Sequence, residues 1–161
     1  QSHMLPILHE RGLNAGLAVL MASLIGPMQV AGRVTMMAFE KHISVYAICV
    51  ACIIAIFVAG WALYFGGRGM ILIVIFVILQ GAGYGVLSII RPTVIAELLG
   101  HRDFGIIAGL LAVGFVIGTA IAPTLGSLLW IYGTYDLVII FAISIPAMTL
   151  FALAGAWRSR F

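Results

Sequence analysis

Four polar side chains recur at intervals of three or four residues along one apolar stretch of the sequence. They are Gln80, Tyr84, Ser88 and Arg91, and residues 70–90 contain no charged side chain. On an α-helix with 3.6 residues per turn, the four positions fall within a sector of roughly 100°. The amide, phenol and hydroxyl can hydrogen-bond a solute, and the guanidinium can attract an anion. A polar stripe on an otherwise apolar helix is expected to face other helices or water inside a bundle, not lipid.

A second polar face is predicted on the first long apolar run. Ala22, Gly26, Gln29 and Arg33 follow one another at helical intervals, so they share one side of a helix. Because this side is small and polar, we expect it to pack toward the inside of the bundle.

The composition of the chain places it in a membrane. The sequence is 64% hydrophobic and 8% charged, with a mean hydropathy of +1.25, whereas soluble domains carry about a quarter charged residues. The net charge of +3 comes from scattered basic residues, without the basic cluster that nucleic-acid binding needs. We therefore expect an integral membrane protein whose surroundings are lipid and which has no nucleic-acid partner.

Apolar runs separated by short polar or glycine-rich turns predict one all-α bundle over residues 1–161. Five runs are long enough to cross a bilayer, which takes about 20 residues, and residues 1–8 are interpreted as the end of a sixth helix. The predicted spans are 15–39, 43–65, 70–99, 104–131 and 137–157. Asn14 is suited to cap the first span, and Pro92 could end or kink the third. The connections are short, so consecutive helices are predicted to be antiparallel neighbours.

Basic residues are divided unevenly between the two ends of the predicted spans. Six belong to one end: Lys41, Arg102, Arg158, Arg160, Arg33 and Arg91. Only Arg11 and Arg68 belong to the other end. By the positive-inside rule, the C-terminus is predicted to lie in the cytoplasm.

The rise of a helix sorts the polar residues by depth. At 1.5 Å per residue, Arg91 and Arg33 lie about 30 and 27 Å along their spans, near the inner edge of the hydrocarbon core. Gln80 and Tyr84 lie near mid-depth, so with Gln29 they are the predicted cavity-lining contacts. The two arginines are candidates for an inner gate or for attracting an anion. The alternatives are arginines that only snorkel and polar groups that only join helices.

Several short stretches occur in an order typical of one transporter family. They are residues 3–8 (HMLPIL), 10–13 (ERGL), 26–33 (GPMQVAGR), 91–93 (RPT) and 97–105 (ELLGHRDFG). The glycine-rich run 109–126 with Pro123 is similar to the eleventh helix of that family. Over essentially all 161 residues the chain resembles the C-terminal half, helices 7 to 12, of a major facilitator superfamily transporter, loosely of the monocarboxylate-carrier type.

The resemblance implies alternating access between two six-helix bundles around a site near the middle of the membrane. We therefore expect this chain to need a second bundle, either an N-terminal half or a second copy of itself. Similarity to bacterial members implies the inner (plasma) membrane. It also implies that His3, which precedes a Leu-Pro pair, belongs to the protein and is a possible proton or substrate contact.

Other chemistries find little support in the residues. No paired carboxylates, no activated nucleophile and no metal-ligand spacing are present in the sequence, so we predict no enzyme, no metal and no cofactor. Cys49 and Cys52 have C-x-x-C spacing, but their neighbours are apolar, which favours buried thiols over redox-active ones.

Two functions remain as hypotheses. The first is the C-terminal half of a secondary active transporter that moves a small organic solute, with organic anions as one candidate class. The second is a small homo-oligomeric channel or structural subunit built from this chain alone, which the short length and odd number of spans would suit.

Overall fold

The computed structural model describes residues 6–8, 12–99, 104–132 and 135–158. Its helices are α1 (Ala15–Phe39), α2 (Val45–Tyr64), α3 (Met70–Leu99), α4 (Phe104–Tyr132) and α5 (Tyr135–Arg158), with a 3₁₀ turn at Gly66–Arg68. All five helices are long and apolar enough to cross a membrane, and the described ranges contain no strand. This confirms the prediction of an all-helical protein with five helices long enough to span a membrane, and each helix end lies within two residues of its prediction.

Side-chain caps fix where the first two helices begin. The backbone N–H of Leu17 donates to Oδ1 of Asn14 at 2.9 Å, which confirms the predicted cap of α1. Ser44 caps α2 in the same way, since its Oγ accepts from the N–H of Ala47 at 3.3 Å. Each cap satisfies a helix-terminal N–H that has no partner within the helix.

Helix α3 lies between α1 and α2 and packs extensively against both, while α5 packs against α2. Helices α1 and α2 make hardly any contact with each other. The prediction that all consecutive helices are neighbours is therefore wrong for this pair. The reason lies in α3, where Gly81 and Gly85 face α1 and Gly83 faces α2. Glycines on two sides make α3 narrow enough for both helices to approach its backbone closely.

The contact between α1 and α3 is one of backbone against backbone. A Cβ added to Gly85 would lie 2.5 Å from the carbonyl oxygen of Gln29, and one added to Gly32 would lie 2.7 Å from Cα of Ala82. A Cβ on Gly81 would lie 2.5 Å from Cβ of Met28. Gly81 and Gly85 are thus the glycines of α3 that allow α1 to approach closely, and the contacts run in the same direction along both helices.

The side of α1 that packs inward differs from the one predicted. Its buried residues are Ala18, Met21, Ile25 and Gly32, a stripe rotated by about a quarter turn from the expected polar face. Gly26 is exposed, and a Cβ there would meet nothing within 4 Å. The prediction for Gly26 is therefore wrong, because close approach at Gly32, and not the polarity of a face, sets the rotation of α1.

Helix α4 has few contacts with the rest of the described bundle. No residue in its most apolar window is buried. A Cβ added to Gly105, Gly109, Gly114 or Gly118 would meet nothing within 4 Å. These glycines therefore have no close neighbour among the described residues.

Internal prolines are distributed over four of the five helices. Pro27 lies in α1, Pro92 in α3, Pro123 in α4 and Pro146 in α5. Helix α2 has no internal proline. Pro92 does not end α3, which continues to Leu99.

Aromatic side chains gather where α2 ends. The Trp61 ring stacks on Phe65 with centroids 5.9 Å apart, and it meets Tyr64 edge-on at 5.8 Å. The guanidinium of Arg68 lies over the Phe65 ring at 4.8 Å. Aromatic and basic side chains together are typical of a membrane–water interface.

Candidate functional site

Gln80, Tyr84 and Arg91 lie on one side of α3, in a sector of about 40°. This sector falls between the side that faces α2, marked by Gly83, and the side that faces α1, marked by Gly85. Tyr84 is 39% exposed, and Gln80 and Arg91 are half-buried. We refer to the open surface formed by Gln80, Tyr84 and Arg91 as the α3 groove.

The α3 groove has an apolar floor. In the first half of α3 the same sector carries Ile73 and Val77, which are 1% and 2% exposed. They belong to the buried cluster that includes Leu8, Leu13 and Met21. The sector therefore opens at Gln80, about 15 Å along the helix, and stays open toward Arg91.

The polar groups around the α3 groove have no hydrogen-bonding partner in the described part of the chain. The side chains of Gln29, Gln80 and Tyr84 form no hydrogen bond there, and Arg91 forms no hydrogen bond or ion pair. In hydrocarbon each unsatisfied polar group would cost several kcal/mol. These groups therefore need water, a solute or another polar surface.

Arg33 is engaged in a network that joins α1 to α3. Its Nε–H donates to the carbonyl oxygen of Gly85 at 3.3 Å, and a terminal N–H donates to Oγ of Ser88 at 3.2 Å. The Ser88 hydroxyl in turn donates to the same Gly85 carbonyl at 2.7 Å. Of the predicted site residues, Arg33 and Ser88 thus satisfy each other and hold two helices together.

Arg91 has a different neighbour, the ring of Phe115 on α4. Its guanidinium carbon lies 4.2 Å from the ring centroid, within the range of cation–π attraction. Arg91 lies about 12 Å before the end of α3 and Phe115 about 17 Å after the start of α4, so antiparallel helices bring the two to within about one helical turn of each other. Arg91 forms no hydrogen bond with the described residues, so its N–H donors remain free beside the ring.

Phe115 was not among the predicted site residues. It stands in a continuous apolar run, 104–132, that contains three phenylalanines or tryptophans and no charge. Helix rise gives its approximate level relative to Arg91, but whether the two side chains face each other depends on how α3 and α4 are rotated about their axes.

The histidine and the two cysteines singled out in the sequence do not belong to the α3 groove as described. His3 lies outside the described residues. Cys49 and Cys52 are buried free thiols, and Cys49 packs in a cluster with Ile53 and Leu153. Among the described residues no group of three or more histidine, cysteine or acidic side chains could hold a metal ion.

The two arginines differ in whether their N–H donors are already hydrogen-bonded. The N–H groups of Arg33 engage α3, whereas those of Arg91 are free beside the polar groups of the α3 groove. Such a surface can hydrogen-bond a solute and pair with one negative charge. No family model, curated protein or solved structure matches the chain.

Proposed function

We propose that the protein forms one half of a secondary active transporter that moves a small organic solute, with an organic anion as the favoured class, by alternating access. The observation that carries the proposal is the α3 groove, where Gln80, Tyr84 and Arg91 lie within a membrane-spanning helix without hydrogen-bonding partners in the described chain. The order of sequence stretches that resembles the C-terminal half of a major facilitator transporter supports it.

In this proposal the polar residues have distinct roles. Arg91 pairs with the anionic group of the solute, because its N–H donors are free. Gln80, Tyr84 and Gln29 hydrogen-bond the rest of the solute. Arg33, through Ser88, holds α1 against α3 at the inner gate. His3 is proposed as a proton or substrate contact, on the resemblance alone.

The proposal also requires a second bundle. The α3 groove is open on the side away from α3. The glycines and apolar side chains of α4 have no close neighbour in the described chain. Two bundles around a site at mid-depth would cover both. We propose an N-terminal half as the second bundle, with a second copy of the chain as the other candidate, in a bacterial inner membrane with the C-terminus in the cytoplasm.

Solute flux into proteoliposomes tests the proposal. The complete gene product is reconstituted, and uptake of a panel of radiolabelled carboxylates is measured for wild type, Arg91→Gln and Arg68→Gln. Arg68 is the matched control, because its guanidinium also lies over a phenylalanine ring but outside the spans.

We expect uptake by wild type and by Arg68→Gln. Arg91→Gln should lower uptake at limiting solute roughly tenfold to 100-fold, since a hydrogen bond to a charged group contributes about 1.5–3 kcal/mol. Uptake by Arg91→Gln equal to that of wild type, or no uptake of any carboxylate by wild type, would contradict the proposal.

The unpartnered glycines of α4 also favour a second candidate, a homo-oligomeric channel or structural subunit. Gly109, Gly114 and Gly118 would let another helix approach closely. Chemical cross-linking of the 161-residue chain in detergent distinguishes the two. A single symmetric oligomer that conducts ions without solute would favour the channel, whereas a chain that associates only with a second, different bundle would favour the transporter.

A further inference from the structure

Phe115 is the described side chain of α4 that meets a charged group of the α3 groove. The Arg91 guanidinium carbon lies 4.2 Å from the centre of its ring. The ring is 43% exposed, so one side meets Arg91 while much of its surface stays open. Helix α4 otherwise has few contacts with α3, which makes this pair a principal link between the two helices.

We propose that Phe115 is a positioning residue that orients Arg91 for a carboxylate, an inference that rests on the transport function proposed above. A guanidinium is planar, and its five N–H donors point outward in that plane. The Phe115 ring lies beside the guanidinium, and the donors of Arg91 form no hydrogen bond with the described residues. A carboxylate can then accept two parallel hydrogen bonds at the guanidinium edge.

The ring also acts on the free energy of binding. A free arginine side chain loses about 2 kcal/mol of rotamer freedom when it is fixed in one geometry. A ring that already restricts Arg91 removes part of that loss before the solute arrives. It also excludes water from the part of the guanidinium that it covers, which strengthens an ion pair formed by the remaining donors.

Arg33 provides the internal comparison. Its Nε–H and one terminal N–H are already bonded to Gly85 and Ser88, so the edge that a carboxylate would use is occupied. In the described candidate spans, Arg91 is the arginine whose N–H donors form no hydrogen bond with the protein. Removing the ring from Arg91 should therefore weaken solute binding without disturbing a protein hydrogen bond.

The contact itself is tested first, without any solute. Arginine side chains are labelled with ¹⁵N in the complete protein in detergent, and Arg91→Lys identifies the Arg91 Nε–H resonance. In wild type this resonance should be displaced by the ring current of Phe115. The displacement should vanish in Phe115→Leu, persist in Phe115→Tyr and persist in the control Phe151→Leu, whose parent ring is 82% exposed on α5. An unchanged resonance in Phe115→Leu would overturn the proposal.

Transport kinetics then test the positioning role. Phe115→Leu should raise the KM for the carboxylate roughly threefold to twentyfold, the range of a partly desolvated cation–π contact, with kcat little changed. Phe115→Tyr should restore the wild-type KM, and in an Arg91→Lys background Phe115→Leu should have little further effect. Phe115→Met replaces Phe115→Leu if the latter folds poorly.

The outcomes separate this inference from the function on which it rests. Carboxylate uptake by wild type with an unchanged KM in Phe115→Leu would overturn the role of Phe115 alone. An equal rise in KM in Phe115→Tyr, or in the Arg91→Lys background, would do the same, because either points to packing. Absence of all carboxylate uptake by wild type, together with a displaced Arg91 resonance, would overturn the transport function and leave the contact in place.

Discussion

Arg33 and Arg91 show how two identical side chains in one bundle differ through their partners. Arg33 donates to a carbonyl and a hydroxyl of α3, so its main contribution is to join helices. Arg91 lies beside the Phe115 ring, and its N–H donors form no hydrogen bond with the described residues. The sequence predicted both as gate or anion residues, because type and depth alone do not show whether a donor is already occupied.

The hydrogen bonds from Arg33 to Gly85 and Ser88 should contribute measurably to the free energy of unfolding. Arg33→Gln removes the charged fork and should lower the free energy of unfolding by about 1–3 kcal/mol. Arg33→Lys should recover only part of it, since an ammonium does not present a planar fork. The apparent melting temperature in detergent is the measurement, with the exposed Arg68→Gln as control. Equal melting of Arg33→Gln and Arg68→Gln would show that the network does not hold α1 to α3.

The openness of the α3 groove can be tested at Tyr84. In a Cys49→Ala, Cys52→Ala background, Tyr84→Cys should react with a water-soluble maleimide in membranes, because the groove is expected to hold water. Ile89→Cys is the control, since Ile89 is similarly exposed, at 44%, but lies toward the other side of α3. We expect at least about a tenfold slower reaction at Ile89, since thiolates do not form readily in hydrocarbon. Equal rates at both positions would show that Tyr84 does not face a water-filled space.

At the scale of helices, the glycines of α3 determine the arrangement. Gly81 and Gly85 allow α1 to approach the backbone of α3 closely, and Gly83 allows α2 to do so on the other side. A chain with larger residues there could keep the same helices but not this order of packing. Helix formation and helix order therefore depend on different residues of the same sequence.

Adding one methyl group at this contact should be costly. Gly85→Ala places a Cβ 2.5 Å from the backbone oxygen of Gln29, so α1 and α3 must separate, at a cost of about 1–3 kcal/mol. Gly26→Ala is the control on α1, where a Cβ meets nothing within 4 Å, and it should be neutral or slightly stabilising. Equilibrium unfolding in mixed detergent micelles measures both. A Gly85→Ala protein as stable as Gly26→Ala would show that the close approach is absent.

Much of the secondary structure follows from local sequence, whereas the packing does not. Long apolar runs and the cap at Asn14 were enough to locate the helices, and helix rise places Gln80 and Tyr84 near the middle of α3. The inward side of α1 was predicted incorrectly because Gly26 and Gly32 look alike in sequence, and only Gly32 meets a neighbouring backbone. Phe115 gave no signal, since the apolar residues of α4 are interchangeable until Arg91 is placed beside one of them.

For the molecule as a whole, α4 is the described helix with the least coverage by the others, and we propose that a second bundle packs against it. Gly109→Leu should leave the stability of the 161-residue chain unchanged, because a Cβ there meets nothing within 4 Å. It should lower recovery of the second bundle severalfold, since bulky residues prevent close helix approach. Co-purification with a separately expressed N-terminal half, or with a tagged second copy, measures this.

Gly155→Leu on α5 is the matched control for that experiment, since Gly155 is also open. If Gly109→Leu lowers co-purification of the N-terminal half alone, that half is the partner of α4. If it lowers co-purification of the second copy alone, the protein is a homo-oligomer. Full recovery of both with Gly109→Leu would show that the glycine side of α4 faces lipid.

The distribution of prolines has a consequence for how such a bundle can move. A proline removes one N–H from the ladder of hydrogen bonds, so bending costs least near Pro27, Pro92, Pro123 and Pro146. Helix α2 keeps an unbroken ladder, and it packs against both α3 and α5. Helix α2 is therefore expected to bend least, and in the transport cycle proposed above distances measured from it should change least.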